Sequence, residues 1–147
     1  MYFLGTSSCI TKTNSNTMSD IERINKVETL AYRRCEYVTQ LFSKTFYMGT
    51  SLMPIEARKH VWAIYAWCRR TDDLVDSPRA CLLNRDTLTD DLKLWNNRLD
   101  GIWKGVPVDL FDYAMVDTLK KYPDLSIEPF REMIKGMVMD VPGLGAC

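Results

Sequence analysis

Apolar residues recur at intervals of three and four along most of the chain, the spacing of helices that bury one face. The first such stretch runs from Asp20 to about Phe46 or Gly49, with either Ser19 or Asp20 as its expected N-cap. The segment before it, residues 1–19, is rich in Ser, Thr and Asn and nearly free of charge. We expect residues 1–19 to form a flexible leader that weakly resembles an organelle-targeting segment.

Proline and glycine residues divide the rest of the chain into four further predicted helices. Their expected bounds are Pro54 to Asp73 or Asp76, Asp86 to Lys104, Leu110 to Tyr122, and Ser126 or Glu128 to Asp140. Residues 141–147, which contain Pro142 and two glycines, are expected to form an irregular tail. No segment alternates apolar and polar residues as a strand does. The pattern predicts an all-α fold of about five helices, with residues 20–140 as its domain.

Composition narrows the class of protein. The 147 residues suffice for one domain, and 19 basic residues balance 19 acidic ones. This balance argues against a nucleic-acid-binding domain, which usually carries surplus positive charge. No run of about 18 apolar residues occurs, so no transmembrane helix is predicted.

Five cysteines without a CxxC pair, and His60 as the single histidine, argue against a zinc cluster or a His-dependent triad. We expect reduced thiols and a surface position for His60.

Reactive side chains are concentrated on the second predicted helix, in the stretch VWAIYAWCRRTDDLVD at 61–76. At about 100° per residue, one narrow stripe of this helix holds Tyr65, Arg69, Asp72 and Asp76. An apolar stripe lies beside it, so we expect the acids near the edge of the core. The carboxylates of Asp72 and Asp76 stand one turn apart and repel each other, an arrangement that suits Mg²⁺ with phosphate oxygens and water. Arg69 is placed to bind a phosphate oxygen.

A second group of polar residues follows the first predicted helix. Ser43, Lys44 and Thr45 offer two hydroxyls and an amine to a phosphate. Each feature also has an ordinary structural interpretation, because Ser and Thr commonly cap helices and most acid pairs at this spacing are solvated. The residues alone therefore leave two interpretations open: a diphosphate site bridged by Mg²⁺, or a solvated helix face.

Three sequence motifs, occurring in this order, resemble those of the phytoene synthases of the squalene/phytoene synthase family. They are KTFYMGT at 44–50, WAIYAWCRRTDDLVD at 62–76 and MIKGMVMD at 133–140. The resemblance extends over about residues 28–140 and is specific, because several uncommon motifs occur in the order and at the spacing found in the family.

This resemblance implies an isoprenoid synthase-type helical fold, truncated here to about five helices, around an apolar cavity. It implies head-to-head condensation of two molecules of geranylgeranyl diphosphate to phytoene through prephytoene diphosphate, in carotenoid biosynthesis. Mg²⁺, or Mn²⁺ in its place, is the implied cofactor. The complete enzyme is expected in a plastid, peripherally associated with a membrane and without a nucleic-acid partner.

The family's site residues carry over position by position. The matching residues are Tyr65, Asp72 and Asp76 for catalysis, Ser43, Lys44, Thr45 and Arg69 for diphosphate binding, and Asp72 and Asp76 for the metal. Asp73 stands where the family often has Glu, and is an additional acid without an assigned role.

Two departures from the family pattern are visible. The family's second aspartate-rich motif does not occur in this sequence, and Val138 stands where many plant members have Arg. We therefore expect an incomplete form of a synthase. The alternatives are an inactive helical fragment with a binding or regulatory role, a squalene or dehydrosqualene synthase that uses farnesyl diphosphate, and an unrelated helical adaptor. The oligomeric state stays open.

Overall fold

A computed structural model describes the backbone of residues 12–144 and the side-chain surroundings of residues 19–141. Its elements are α1 (Lys12–Phe42), α2 (Lys44–Thr50), α3 (Ile55–Asp76), a 3-10 turn (Ala80–Leu82), α4 (Arg85–Trp103), α5 (Leu110–Lys121) and α6 (Glu128–Leu144). No strand occurs among these described residues, so the predicted all-α class is confirmed. None of the described helices is long and apolar enough to cross a membrane.

The first predicted helix differs from the structure at both ends. It begins at Lys12 rather than Asp20, so residues 12–19 of the expected leader are helical and the expected N-cap is wrong. Residues 1–11 of that leader lie outside the described residues. At the other end Ser43 leaves the helical conformation, with φ −148° and ψ 85°, and its side chain accepts a hydrogen bond from the Phe46 amide. This cap starts α2, so the described part of the chain has six helices instead of five.

The last helix also extends beyond its expected end. Residues 141–144, part of the expected irregular tail, are helical. Phe130, Ile134 and Val141 are all buried and recur at helical spacing on α6. Packing of this apolar row stabilises the helix and outweighs the local tendency of the following Pro and Gly residues to break it.

The central helix of the structure is α3, because α1 and α5 pack on it and on each other, and α4 and α6 also contact it. Trp67 of α3 stacks on Trp95 of α4, with 6.2 Å between the ring centroids, and meets Phe130 of α6 edge-on at 5.0 Å. The Trp95 indole N–H donates to the Thr71 hydroxyl at 2.8 Å, so this buried donor is satisfied. These contacts fix the rotation of α3, and hence the direction in which its polar stripe faces.

A cluster of charged side chains joins α3, α4 and α5. The carboxylate of Asp112 is completely buried and accepts from Arg98 Nε at 2.8 Å and from the Val108 amide at 3.1 Å. Asp109, the N-cap of α5, accepts from Arg70 at 2.7 Å and also from Arg98. Burial by itself would raise the pKa of Asp109, but the Asp112 amide and the Arg70 guanidinium outweigh it and hold that pKa below its ordinary value.

The cysteines only partly meet the expectation of reduced thiols. Cys35 and Cys68 are free, and burial raises the pKa of the Cys35 thiol to about 12. Cys81 is disulfide-bonded, so the expectation is wrong for that residue.

Candidate functional site

The polar stripe predicted from the sequence lies along α3, whose continuous helix keeps its four side chains on one face. Tyr65, Arg69 and Asp72 are half-buried. Asp76 is exposed, so the expectation that both acids lie at the edge of the core is correct for Asp72 and wrong for Asp76. The reason is that α3 ends at Asp76, where Ser77 turns the chain away from the helix axis.

The environment of Asp72 disfavours its ionised form. Partial burial and the neighbouring Asp76 carboxylate raise the pKa of Asp72, and the Asp73 carboxylate adds to this effect. Arg69 acts in the opposite direction without cancelling the shift. The last turn of α3 also contains no basic residue, so the acids face the negative end of the helix dipole. A cation bound between Asp72 and Asp76 would relieve these unfavourable interactions.

Arg69 interacts with Asp73 and with an aromatic ring. Its guanidinium donates to Asp73 Oδ1 at 2.7 Å and stacks over the Phe42 ring at 4.2 Å from the centroid. The Nε atom of Arg69 is buried and has no hydrogen-bond partner. The four-residue spacing of Arg69 and Asp73 is the spacing of helical ion pairs, so this partner was visible in the sequence.

The segment Ser43 to Thr45 forms the start of α2 and is not the end of α1. Lys44 and Thr45 are exposed. The next residue, Phe46, stacks on Tyr65 of α3 with 5.1 Å between ring centroids. The α1–α2 junction, defined here as residues 42–46, therefore contacts the α3 stripe at Arg69 through Phe42 and at Tyr65 through Phe46.

α2 is anchored on α3 by contacts that the sequence did not reveal. The Trp62 indole N–H donates to the buried Thr50 hydroxyl at 3.1 Å, and the Trp62 ring stacks on Tyr47. The Tyr47 hydroxyl donates to Glu36 of α1 at 2.8 Å. A long-range tryptophan thus holds α2, and with it the residues that begin this helix, against the α3 stripe.

A second polar cluster, far along α3 from the acids, contains the single histidine. His60 is 5% exposed, so the expected surface position is wrong: α1 and α5 cover the ring. Its Nδ1 lies 3.1 Å from the Tyr32 hydroxyl and 2.9 Å from the Thr118 hydroxyl, while the Tyr32 hydroxyl donates to Asp117 Oδ2 at 2.6 Å. Burial and the nearby Lys59 lower the pKa of His60.

The described residues contain no group of three or more His, Cys, Asp or Glu side chains arranged to hold a metal ion. The two carboxylates of Asp72 and Asp76 nevertheless fit the hard, oxygen-preferring Mg²⁺, which often binds through one or two carboxylates and takes its other ligands from water and phosphate.

Comparison with protein families gives a match between residues 39–143 and the family described as squalene/phytoene synthase. The chain is 50% identical over 111 residues to the 15-cis-phytoene synthase of Synechococcus elongatus, an alignment that covers 76% of this chain and 34% of that protein. It is 49% identical over 111 residues to phytoene synthase 1, chloroplastic, of Arabidopsis thaliana, covering 76% and 25%. Against phytoene synthase 2, chloroplastic, of Oryza sativa it is 47% identical, covering 76% and 27%. The chain thus spans about a third or less of the length of these relatives.

Proposed function

Because the chain belongs to the squalene/phytoene synthase family, we propose that it is the N-terminal portion of a prenyltransferase that condenses two molecules of geranylgeranyl diphosphate to phytoene. The names of the relatives, all of them phytoene synthases from cyanobacteria and plants, support the phytoene branch. Since the chain spans at most 34% of their length, turnover is proposed for the whole synthase and diphosphate binding for the described residues.

The observation that carries this proposal is the carboxylate pair at the end of α3. Asp72 has a raised pKa beside Asp76, and the Arg69 guanidinium, which acts against this shift, is hydrogen-bonded to Asp73 instead. Two repelling carboxylates without a cationic partner of their own are unfavourable for folding, which is typical of a site that binds a cation. Asp72 and Asp76 would hold Mg²⁺, or Mn²⁺ in its place, and the ion would neutralise the charge of a departing diphosphate.

The diphosphate itself would meet donors from two elements. Arg69 Nε is a buried donor without an acceptor, and a phosphate oxygen would satisfy it. Lys44 and the hydroxyls of Ser43 and Thr45 lie at the start of α2, which the Phe46–Tyr65 stack holds next to the α3 stripe. These groups would orient the diphosphate so that its C–O bond breaks with the electron pair on the departing oxygen.

Aromatic rings line the same region. Tyr65 and Phe46 present stacked faces, and Phe42 covers Arg69. The allylic cation left behind by the diphosphate is attracted to aromatic faces and is protected from water by them. Tyr65 would therefore face the reacting carbons, while the acids hold the metal.

Metal binding can be tested on this chain without turnover. Calorimetric titration with Mg²⁺ and with Mn²⁺ is expected to give a signal that Asp72→Asn and Asp76→Asn each abolish. Asp90→Asn, which changes an exposed acid on α4, is the matched control and should leave the signal unchanged. Equal binding by all three variants would overturn the metal assignment.

Activity is tested in a full-length synthase that contains this segment. Asp72→Ala and Asp76→Ala should each lower the rate by about three or more orders of magnitude, because metal stabilisation of a leaving group contributes several kcal/mol. Asp73→Ala should reduce the rate less, since Asp73 is hydrogen-bonded to Arg69 and is not proposed as a metal ligand. Phytoene should form from geranylgeranyl diphosphate without NADPH; a product made only from farnesyl diphosphate would assign the protein to the squalene branch.

We also propose a plastid location and contact with a membrane surface for the complete enzyme. The relatives from Arabidopsis and rice are named chloroplastic, whereas the Synechococcus relative comes from a bacterium without plastids. A fluorescent fusion of residues 1–40 is expected to enter plastids, and a diffuse cytosolic signal would contradict this location. The strongly apolar substrate and product are the reason to expect membrane contact.

A further inference from the structure

We propose that Asp73 is a positioning residue that holds Arg69 in a resting arrangement and releases it to an incoming diphosphate. Asp73 is an additional acid to which the sequence assigned no role, and the structure gives it a partner in Arg69. This role rests on the proposed diphosphate site and concerns the state of that site while it is empty. Asp73 is therefore expected to limit the affinity of the site for diphosphate.

Arg69 has two carboxylates within about one helical turn, and it binds one of them. Asp72 and Asp73 follow it by three and four residues, and both spacings allow an ion pair on a helix. The Arg69 guanidinium donates from Nη2 to Asp73 Oδ1 at 2.7 Å, which is its only hydrogen bond to a described residue. Arg69 is thus held by the acid that is not proposed as a metal ligand.

In this arrangement one donor of Arg69 cannot be reached from solvent. The Nε–H group is buried and has no hydrogen-bond partner. A phosphate oxygen must approach to about 3 Å to accept from this group, and it cannot do so while the group stays covered. Use of Nε by a diphosphate therefore requires the guanidinium to move.

Two contacts oppose this movement. One is the hydrogen bond to Asp73, and the other is the stack of the guanidinium over the Phe42 ring, with 4.2 Å between Arg69 Cζ and the ring centroid. A stack on an aromatic face depends little on rotation about the normal to the ring, whereas a hydrogen bond fixes the direction of an N–H group. Asp73 is thus the contact that determines where the donors of Arg69 point.

The Arg69–Asp73 pair is weak enough to be exchanged for a ligand. The two side chains are 33% and 39% exposed, so water can hydrate both charges when the pair separates. The Arg98–Asp112 pair differs, because the Asp112 carboxylate is completely buried and would lose its partner without gaining water. The more exposed pair suits a contact that opens and closes again.

A bound metal and diphosphate would favour the open arrangement. A guanidinium can bind a phosphate group through two parallel N–H bonds, whereas Asp73 accepts only one from Arg69. A cation held by Asp72 and Asp76 would also attract the Asp73 carboxylate and repel the guanidinium. Both effects weaken the Arg69–Asp73 pair only when the site is filled.

The resting contact is tested in the chain without any ligand. NMR spectroscopy measures the exchange of the Arg69 Nε–H proton with water, and Asp73→Ala should speed it about two- to fivefold, the factor equivalent to an exposed ion pair. Asp73→Glu keeps a carboxylate at the spacing of a helical ion pair and should restore slow exchange. Glu132→Ala, which breaks an exposed pair with Lys135 on α6, is the matched control.

Competition with diphosphate is tested by titration with inorganic pyrophosphate in the presence of Mg²⁺. Asp73→Ala should bind it about two- to fivefold more tightly than the parent chain does, whereas Asp73→Glu and Glu132→Ala should match the parent. Removal of an acid near the site could raise the affinity through charge alone. The double variant Arg69→Gln with Asp73→Ala separates the two causes, because it should bind no more tightly than Arg69→Gln.

The outcomes distinguish this role from the diphosphate site itself. If the parent chain binds pyrophosphate and Asp73→Ala binds it equally or more weakly, Asp73 does not compete for Arg69 and the proposal is overturned. The same holds if the gain persists in the Arg69→Gln background, or if exchange of the Nε–H proton is unchanged in Asp73→Ala. No binding of pyrophosphate by the parent chain or by Asp73→Ala would overturn the proposed diphosphate site as well.

Discussion

Among single residues, Asp72 combines a structural cost with a proposed catalytic role. Its pKa is raised by burial and by the Asp76 carboxylate, so the folded chain holds the neutral form more tightly than the unfolded chain does. The contribution of Asp72 to stability is therefore greatest below the ordinary carboxyl range and decreases as the pH rises through that range. At neutral pH Asp72 destabilises the metal-free chain.

We predict that Asp72→Asn makes the metal-free chain more stable at neutral pH while it abolishes Mg²⁺ binding. The expected gain in the free energy of unfolding is about 0.3–1 kcal/mol, from the lost repulsion and the helix dipole. Urea denaturation in the presence of a chelator measures it. A variant less stable than the parent at neutral pH would contradict the electrostatic account of this site.

His60 gives the opposite dependence on pH. Its pKa is lowered by burial and by Lys59, with Lys121 acting in the same direction and Asp117 and Glu28 in the opposite one. The stabilising effect of neutral His60 is present above the ordinary histidine pKa and is lost as the pH falls through its lowered value.

We therefore predict that the free energy of unfolding decreases as the solution is acidified from pH 7 to about pH 5, by at most about 1.4 kcal/mol per pH unit from this group. His60→Gln keeps a neutral hydrogen-bonding side chain and should flatten this part of the profile. The measurement is the urea midpoint of the parent chain and of His60→Gln between pH 7 and about pH 5. Parallel profiles for the two proteins would show that a group other than His60 titrates in this range.

At the scale of elements, the placement of α2 depends on a side chain of α3. The hydrogen bond from Trp62 to Thr50, and the stack of Trp62 on Tyr47, hold this seven-residue helix in place. A helix this short is not stable alone, so tertiary contacts determine its position.

We predict that Trp62→Phe loosens α2 selectively. Loss of the indole hydrogen bond should cost about 0.5–1.5 kcal/mol and raise the hydrogen-exchange rates of amides in α2 by about three- to tenfold. Trp103→Phe removes an indole bond to the Leu125 carbonyl and is the matched control, because it lies on α4. Unchanged exchange in α2 of the Trp62 variant would mean that other contacts hold this helix.

At the scale of the whole molecule, buried charges connect helices that are distant in sequence. Asp112 accepts from Arg98 of α4 and from the Val108 amide, and Arg70 of α3 lies 3.5 Å away. If Asp112 is removed, Arg70 and Arg98 keep only Asp109 as an ion partner, so one carboxylate faces two partly buried positive charges, which is expensive.

We predict that Asp112→Ala destabilises the chain by about 3–5 kcal/mol. Arg131→Ala, which breaks the more exposed pair with Asp100, should cost far less. Thermal and urea denaturation of both variants provides the comparison. Equal losses in the free energy of unfolding for the two variants would contradict the central role assigned to the charged cluster around Asp112.

The sequence by itself determined the features that depend on neighbours within one helix. Apolar spacing together with Pro and Gly residues predicted the bounds of α4 and α5 and the start of α3 to within one residue, and left the end of α3 open between Asp73 and Asp76. Helical spacing also placed Tyr65, Arg69, Asp72 and Asp76 on one face. Helical geometry depends on local backbone angles, so residues three and four apart are neighbours whatever else the chain does. The order and spacing of the sequence motifs also supported the family resemblance.

Only the tertiary structure decided which faces other helices cover. His60 follows the basic residues Arg58 and Lys59 in the sequence and was expected at the surface, yet α1 and α5 bury it. Val141 extends α6 beyond its expected end because the core takes up its side chain, and Trp62 positions α2 across twelve residues of chain. Burial and long-range hydrogen bonds depend on how separate helices pack, and that packing sums many weak contacts that no local pattern encodes.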